Sequence, residues 1–295
     1  MRFGLLGTGP WALATHGPAL AAHKDVELTG VWGRRSEAAR HAAQELGTRA
    51  YDDVDALLTD CDAVAIALPP DVQAPLAVRA ARAGCHLLLD KPVATEPEAA
   101  RQVTEAVAET GVASVVFFTL RFSEPTAAWI DEQAAAGGWL TGRADWLSPV
   151  FGGADSPYTA SPWRRERGAL WDVGPHALSV LLPVLGDVPE PELLRAGRGV
   201  GDTVHMILRH AEGASSVCTL SHSMPPAAAG VAAEVRGAAG TSTLPERDES
   251  PVDAFARAVD ALTESARTGR AHACDVRFAQ RVTEILARAE AALQR

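Results

Sequence analysis

The feature that most constrains the fold is the regular alternation, across residues 1–120, of short apolar runs with amphipathic helical patterns. Strands buried on both faces of a helix-covered parallel sheet are continuously apolar, whereas strands of half-exposed sheets alternate. Strand and helix patterns in strict succession therefore predict βαβ units and an α/β fold. The predicted strands are Arg2–Leu6, Val26–Trp32, Ala63–Leu68, His86–Leu89 and Ala113–Phe118.

The pattern changes after residue 122. A loop rich in Pro, Gly and Ser is expected from Ser148 to Gly168, and several later strand-like runs are separated by short turns, which favours antiparallel pairing. We therefore divide the chain into an α/β domain, residues 1–122, and an α+β domain, residues 123–295, with an open, largely antiparallel sheet. The predicted strands are Trp139–Leu147, Leu193–Gly199, Thr203–Arg209, Ala214–His222 and Gly230–Gly237, and the predicted helices are Ser123–Ala136, Ala169–Leu185, Pro251–Thr268 and Asp275–Leu293.

Composition excludes several classes of partner. A net charge of −10 disfavours a nucleic-acid partner, because phosphate binding requires a basic face. No apolar run approaches the roughly 18 residues that span a bilayer, so no membrane partner is expected. The cysteines lack metal-ligand spacing, which predicts no metal site and a reduced, cytoplasmic protein. They are Cys61, Cys85, Cys218 and Cys274.

A glycine-rich segment follows the first predicted strand directly and matches the pattern G-x-G-x-x-A. Its residues are Gly7, Thr8, Gly9, Pro10, Trp11 and Ala12. Glycines at these positions permit a tight turn and close approach of a pyrophosphate, which then lies at a helix N-terminus. The segment predicts a dinucleotide-binding Rossmann domain; the alternative is a glycine-rich turn without a ligand.

The end of the second predicted strand bears on which dinucleotide binds. NAD enzymes usually place an acidic residue there to bind the ribose 2′-hydroxyl. This chain has Gly33 at that position, followed by Arg34 and Arg35. Guanidinium groups form charge-assisted, bidentate contacts with phosphate. The pattern predicts that NADP(H) is preferred, with NAD(H) possible; the alternative is a solvated start of a surface helix.

A lysine stands at the end of the strand His86–Leu89, in the segment Asp90-Lys91-Pro92. Only two of the 27 basic residues are lysines, Lys24 and Lys91. Ligands of parallel sheets lie at the carboxyl ends of the strands. An ammonium group there can exchange a proton when burial lowers its pKa, which arginine cannot do. Lys91 is therefore a candidate catalytic residue, although a surface lysine is the simpler alternative.

The helix predicted at Ala169–Leu185 is apolar except for Asp172, His176 and Ser179. At 100° per residue these three side chains lie on one face. Asp172 and His176 are four residues apart, so the carboxylate could orient the imidazole and raise its basicity. Such a pair suits general acid–base catalysis. Two alternatives remain: a polar stripe facing solvent, and a histidine satisfied within the core.

Together these motifs resemble the glucose–fructose oxidoreductase / inositol dehydrogenase family (Gfo/Idh/MocA) across essentially the whole chain and in the same order. The matching segments are the glycine loop Gly7–Ala12, Asp90-Lys91-Pro92 for the family's Glu-Lys-Pro, Arg121-Phe122, Trp163-Arg164, and Asp172–His176 for its Asp-x-Gly-x-His. The chain departs from the family in three places: Asp90 is shorter than the usual Glu, Gln73 stands where many members have His, and Ser179 replaces a frequent acid.

The resemblance implies an NADP(H)-dependent oxidoreductase that transfers a hydride between nicotinamide and a small polyol, sugar or keto-sugar. Lys91 and His176 would move the hydroxyl proton, with Asp172 orienting His176. It also implies a homodimer or homotetramer formed through the C-terminal sheet. The implied substrate contacts are Lys91, Arg121, Trp163, Arg164, Asp172 and His176, and Pro69, Asp90 and Lys91 join the glycine loop in holding the cofactor.

Two other functions remain compatible with the same motifs. One is a catalytically inactive protein that binds NADP(H) as a sensor or scaffold; the retained Lys91, Asp172 and His176 argue against it. The other is a hydrolase or eliminase that uses tightly bound NAD transiently, which would produce no net change in reduced nicotinamide.

Overall fold

The computed structural model describes residues 1–153, 155–190 and 194–294. The chain divides into two compact units, the first comprising Met1–Phe122 with Glu249–Arg281 and the second Ser123–Asp248 with Val282–Arg295. The predicted boundary at residue 122 coincides with a unit boundary. Residues 249–281, however, were predicted to belong to the second domain and pack in the first unit instead.

The returning segment has a clear packing reason. Helix Pro251–Thr268 buries one face completely, including Phe255, Val259 and Leu262. The Phe255 ring lies edge-on to Phe117 of the parallel sheet, with ring centroids 5.0 Å apart. The sequence pattern showed an amphipathic helix but not the sheet against which its apolar face would pack.

The first unit contains a parallel six-stranded sheet in the order β3-β2-β1-β4-β5-β6. The predicted α/β class and Rossmann sheet are confirmed. The short edge strand β3 was not predicted, since three residues carry too little pattern to detect. The strands are β1 Arg2–Leu6, β2 Glu27–Trp32, β3 Arg49–Tyr51, β4 Ala63–Ile66, β5 His86–Asp90 and β6 Ser114–Phe117.

Helices connect these strands and cover the sheet. A π-helical turn, Ala12–His16, separates the glycine loop from the first regular helix, and such turns are frequent at functional sites. The remaining helices of this unit are α1 Gly17–Ala22, α2 Ser36–Glu45, α3 Val54–Asp60, α4 Pro70–Arg82, α5 Pro97–Thr110, α6 Thr119–Phe122 and the returning helix, α9, Pro251–Thr268.

The second unit contains a mixed sheet in the order β12-β11-β7-β10-β9-β8. Strands β7 and β10 are parallel and the other neighbouring pairs are antiparallel, which confirms the predicted open, largely antiparallel sheet. The start of the predicted strand Leu193–Gly199 lies outside the described residues. The elements are α7 Glu124–Ala136, β7 Trp139–Leu147, α8 Pro162–Leu185, β8 Leu194–Arg198, β9 Val204–Arg209, β10 Ser215–Ser221, β11 Gly230–Gly237 and β12 Gly240–Thr243, and α10 Val276–Ala292 ends in this unit.

Helix α8 starts earlier than predicted. The expected loop was to reach Gly168, but helical structure begins at Pro162 and is interrupted at Gly168, whose φ of 65° lies in the left-handed region. Proline at the first helical position favours this early start, and glycine tolerates the break. By length and composition α8 could cross a membrane, yet 89% of its apolar window is buried inside the protein. It is the central helix of this unit's core.

The four cysteines are buried thiols that form no disulfide. Burial raises the pKa of Cys61 to about 12 and that of Cys85 to about 11. Thiols held in the protonated form are poor nucleophiles and poor metal ligands, so these side chains act as small apolar core residues.

Candidate functional site

Four segments singled out in the sequence lie along one edge of the parallel sheet. Gly33 follows β2, Gly7 follows β1, Pro69 follows β4 and Asp90 ends β5, and these four strands are neighbours in the order β2-β1-β4-β5. The direction in which successive strands are added reverses between β1 and β4. In open parallel sheets this switch point, at the carboxyl ends of the strands, is where ligands bind.

Gly7 and Gly9 of the glycine loop are glycines for different structural reasons. Gly7 has a φ of 137°, and its N–H donates to the Trp32 carbonyl at 2.9 Å. A Cβ added there would lie 2.4 Å from the Ala67 backbone oxygen, so the backbone that follows β4 excludes a side chain. A Cβ added at Gly9 would meet nothing within 4 Å. The open space at Gly9, at the start of a helix, fits a pyrophosphate.

The residue after β2, Gly33, lies against Thr8 of the glycine loop. A Cβ added at Gly33 would lie 2.8 Å from the Thr8 methyl group, so an acidic side chain at this position would require Thr8 to move. Arg34 and Arg35 are exposed, and neither forms an ion pair within the part of the chain that the structure describes. Both guanidinium groups are therefore available for charge-assisted contact with an anionic group at the end of β2.

Gln73 fixes the backbone around Lys91. Its fully buried amide nitrogen donates to the carbonyls of Asp90 at 2.8 Å and Pro92 at 3.1 Å, and its oxygen accepts from the Asp90 N–H at 2.9 Å. The Lys91–Pro92 peptide bond is cis. Gln73, which departs from the family pattern, therefore satisfies three backbone groups of the segment around Lys91. The sequence alone did not reveal this role.

His16 lies behind the same segment. Its ring is fully buried, stacks on Phe255 with centroids 4.0 Å apart, and has Nε2 3.9 Å from Asp90 Oδ2. Neither ring nitrogen has a hydrogen-bond partner among the described residues. Burial lowers the pKa of His16 from its ordinary 6.5 to about 3. The imidazole is therefore neutral at physiological pH.

This burial predicts an acid sensitivity that His16→Leu should reduce. Below pH 6.5 the unfolded chain binds a proton at His16 and the folded chain does not until about pH 3, so the free energy of unfolding falls as the pH falls. Between these two pH values, His16 lowers the free energy of unfolding by up to about 1.4 kcal/mol for each pH unit. Urea unfolding at pH 7 and pH 5 would measure it, with exposed His41→Gln as the control. An identical pH slope in wild type and His16→Leu would contradict the prediction.

The second group of functional candidates surrounds Asp172 on α8. Asp172 is 5% exposed, and its Oδ2 accepts a hydrogen bond from Arg164 Nε at 2.7 Å. His222 Nε2 lies 3.1 Å from the same oxygen. A carboxylate almost removed from water is thus compensated by a guanidinium and approached by an imidazole, as buried charges require. The sequence predicted a His176 partner for Asp172 but gave no indication of His222.

Arg164 is held in place by aromatic rings. Its guanidinium carbon lies 4.7 Å from the ring centroids of both Tyr158 and Trp163. Cation–π contact with two rings, together with the Asp172 hydrogen bond, restricts the orientation of this side chain. The structure therefore brings together Trp163, Arg164 and Asp172, three of the residues predicted as substrate contacts.

His176 is buried at 6% exposure and stacks on Trp146, with ring centroids 4.3 Å apart and an interplanar angle of 14°. Ser179 is fully buried and donates through Oγ to the His176 carbonyl at 2.8 Å. These burial values rule out a polar stripe facing solvent. Trp146 was not predicted as a site residue.

Trp146 and His222 lie at the same end of the second unit's sheet because β7 and β10 pair with each other. Trp146 lies near the end of β7, His222 follows β10 directly, and β7 and β10 run parallel with Trp146 opposite Leu220. Alternating patterns predict antiparallel neighbours more readily than one parallel pair inside a mixed sheet. Arg121, the remaining predicted contact, lies in α6, just past the end of β6 in the first unit.

Two family models match most of the chain. One, described as "Oxidoreductase family, NAD-binding Rossmann fold", matches residues 1–118, and the GFO/IDH/MocA C-terminal domain matches residues 141–243. The chain belongs to the Gfo/Idh/MocA family. The resemblance drawn from the motifs is thereby confirmed, and the named relatives in this oxidoreductase family are dehydrogenases and reductases that act on sugars and inositol.

Among Gfo/Idh/MocA relatives, the dTDP-3,4-didehydro-2,6-dideoxy-alpha-D-glucose 3-reductase of Streptomyces violaceoruber is 34% identical over 190 residues, which cover 63% of this chain and 55% of the relative. The UDP-N-acetylglucosamine 3-dehydrogenase of Acidithiobacillus ferrooxidans is 38% identical over 100 residues, 34% of this chain and 31% of that protein. The chain thus aligns with about half or less of these relatives' lengths.

Solved structures share the whole fold at lower identity. GenD2 from gentamicin A biosynthesis, in complex with NAD, gives a TM-score of 0.85 at 21% identity and covers 100% of this chain and 94% of its own. Levoglucosan dehydrogenase, in complex with NADH and levoglucosan, gives 0.85 at 19% identity, with 100% and 97% coverage. At this identity the likeness establishes the fold alone.

Proposed function

We propose that this protein is an NADP(H)-dependent oxidoreductase that interconverts a secondary hydroxyl and a ketone on a sugar ring. The observation that carries the proposal is the arrangement at the sheet edge. The open glycine loop after β1 and the lysine segment after β5, which Gln73 fixes, lie at the same edge of one parallel sheet. When bound, the nicotinamide accepts or supplies the hydride. The protein supplies orientation and proton transfer.

The names of the relatives narrow the proposed substrate. The Streptomyces violaceoruber reductase, the Acidithiobacillus ferrooxidans dehydrogenase and the D-glucoside 3-dehydrogenase of Escherichia coli are all named for reaction at carbon 3 of a sugar. We infer the same carbon for this protein. A spectrophotometric screen of nucleotide sugars, free sugars, glucosides and inositols with both nicotinamide cofactors tests the proposal. Oxidation of inositols alone would overturn the sugar assignment.

Within this proposal, Lys91 and His176 transfer the hydroxyl proton. In the direction of oxidation, the substrate hydroxyl would lose its proton to the enzyme while the carbon that bears it gives up a hydride to the nicotinamide. Reduction reverses both transfers. Asp172 is a positioning residue for His176. Arg164 and Trp163 in the second unit, and Arg121 in α6 of the first, are proposed substrate contacts.

The basic residues of the Trp163 segment do not indicate an anionic substrate by themselves. Arg164 bonds to Asp172, Arg165 donates to the Thr159 carbonyl at 2.8 Å, and Arg167 lies 3.6 Å from Glu290. Since each guanidinium has a partner within the chain, the choice between a nucleotide sugar and a neutral sugar rests on the screen.

NADPH should bind more tightly than NADH, and Arg34→Ala should reduce that preference. The guanidinium would contact the 2′-phosphate, which NADH lacks, and a charge-assisted hydrogen bond is worth about 1.5–3 kcal/mol, or roughly a 10- to 150-fold change in Kd. Fluorescence titration of both cofactors into wild type and Arg34→Ala measures it. Arg40→Ala, an exposed arginine on α2, is the matched control. Equal wild-type affinities for the two cofactors would contradict the preference.

A homodimer or homotetramer formed through the second unit's sheet is also proposed. Helix α8 packs on one face of β7 and β10. On the other face, Ile207 and Val217 are paired across β9 and β10 and are 53% and 42% exposed. Apolar side chains at the centre of an exposed sheet favour burial against a second copy about a two-fold axis.

Val217→Asp is therefore expected to convert the oligomer to a monomer, because it would bury an unpaired carboxylate in the interface. Light scattering at micromolar concentration measures the mass. Val200→Asp, at a 90% exposed valine outside the sheet face, should leave the mass unchanged. A monomeric wild type would overturn the assignment.

We place the protein in a reducing compartment, the cytoplasm. The four cysteines are buried and form no disulfide, and burial raises the pKa of Cys218 to about 12. Thiols that need no disulfide partner are typical of reducing compartments.

A further inference from the structure

One carboxylate in a surface turn joins the two segments that meet at Asp172. Asp202 lies between β8 and β9, and its Oδ2 accepts from the Ala169 N–H at 3.1 Å. Its Oδ1 accepts from the His222 N–H at 2.9 Å and from Ser223 Oγ at 2.7 Å. Each oxygen of this side chain is therefore committed to a different segment of the second unit.

The contact with Ala169 supplies a helix cap that the local sequence cannot. The regular part of α8 restarts after the break at Gly168, which has no side chain to accept from the first free N–H groups. Asp202 accepts one of these from a distant turn, and its negative charge favours the N-terminal end of the helix dipole. Asp172 lies three residues after Ala169, within the turn that this contact fixes.

The contact with His222 fixes the opposite side of the same cluster. The Asp202 carboxylate holds the backbone of His222 and the side chain of Ser223, where β10 has just ended. The His222 ring is buried, lies edge-on to Phe151 with centroids 5.5 Å apart, and approaches Asp172 Oδ2 to 3.1 Å. Asp202 thus fixes the backbone on both sides of the Asp172–His222 contact.

We propose that Asp202 is a positioning residue that sets the spacing between the helix carrying Asp172 and the strand end carrying His222. The His222 imidazole thereby stays beside the Asp172 carboxylate, which Arg164 holds by a hydrogen bond. The catalytic part of this inference rests on the proposed function. The structural part does not. Without Asp202, the His222 ring and the carboxylate would no longer be held in a single arrangement.

The test compares Asp202→Ala with Glu212→Ala. Glu212 is an exposed carboxylate in the turn between β9 and β10, so it matches the turn setting without contacting the cluster. Ring ¹⁵N chemical shifts of His222, assigned by their loss in His222→Gln, report the surroundings of its imidazole without any turnover. We expect Asp202→Ala to shift them and to lower kcat about 10- to 100-fold, with cofactor Kd unchanged. Glu212→Ala should change neither.

A second variant and a stability control keep the test decisive. Asp202→Asn preserves shape but turns one acceptor into a donor facing donor groups, so it should shift the His222 signals even if Asp202→Ala does not fold. Val235→Ala, in the core of β11, lowers stability away from the cluster and should leave the His222 signals in place. Unchanged His222 shifts in Asp202→Asn would overturn the proposal even if no substrate were found. Shifted signals with wild-type kcat would overturn the catalytic part alone.

Discussion

Replacing Lys91 or His176 by alanine is expected to lower kcat by about 10²–10⁴-fold, the usual cost of losing a positioned proton-transfer group. Cofactor affinity should fall far less, because the cofactor is expected to be held by the phosphate loop and Arg34. Lys91 follows a strand end whose backbone is fixed by Gln73, and His176 lies buried against Trp146. Fixed surroundings of this kind favour a role in chemistry over one in general binding.

The measurement requires kcat, KM and cofactor Kd for each variant with a substrate from the screen. Lys24→Ala, which removes the other lysine from an exposed position, and His41→Gln are matched controls and should retain activity. Asp172→Asn should be milder and should shift the pH profile, since it perturbs His176 without removing it. Near-normal kcat in both alanine variants would place the chemistry elsewhere, and loss of cofactor binding in His176→Ala would indicate a structural role for α8.

The parallel sheet was predictable because β1, β4, β5 and β6 each carry a continuous buried run, in alternation with helical patterns. The same reasoning did not reach β3, which has three residues, or the return of Pro251–Thr268 to the first unit. Periodicity identifies which face of a helix is buried but not the surface that buries it. The early start of α8 is not predictable, because Gly168 breaks the helix and separates its first turns from the apolar run that follows.

The candidate site likewise contains residues that the sequence places and residues that it does not. The placement of the glycine loop after β1, of Lys91 after β5, and of Asp172 and His176 in α8 was predictable, because each rests on short spacings within a single segment. Their roles stay predictions. His222 and Asp202 were not predictable, because their contacts with Asp172 and Ala169 depend on the parallel pairing of β7 with β10 and on a turn far away in sequence. Gln73 was noted only as a departure from a family pattern, and the structure supplies its role.

The two glycines of the phosphate loop should fail in different ways when replaced by alanine. Gly7→Ala should destabilise the folded protein, since a non-glycine residue held at a φ of 137° costs about 1–3 kcal/mol. Its Cβ would also approach the Ala67 backbone oxygen to 2.4 Å. Ala67 directly follows β4 and its N–H donates to the Leu6 carbonyl at 2.9 Å, so this backbone cannot move aside as a flexible side chain can. We expect a lower free energy of unfolding in urea and, with it, loss of cofactor binding.

Gly9→Ala should leave the fold intact, because its Cβ would meet nothing within 4 Å. In the proposed complex the same space receives the pyrophosphate, which must approach the backbone closely. We therefore expect wild-type stability with a cofactor Kd raised about tenfold or more, equivalent to about 1.4 kcal/mol. Urea unfolding and cofactor titration on both variants separate the two effects. A raised Kd at wild-type stability would be a direct effect on the cofactor, since the added methyl group has no other neighbour to disturb. Wild-type cofactor affinity in Gly9→Ala would show that the pyrophosphate does not lie on this loop.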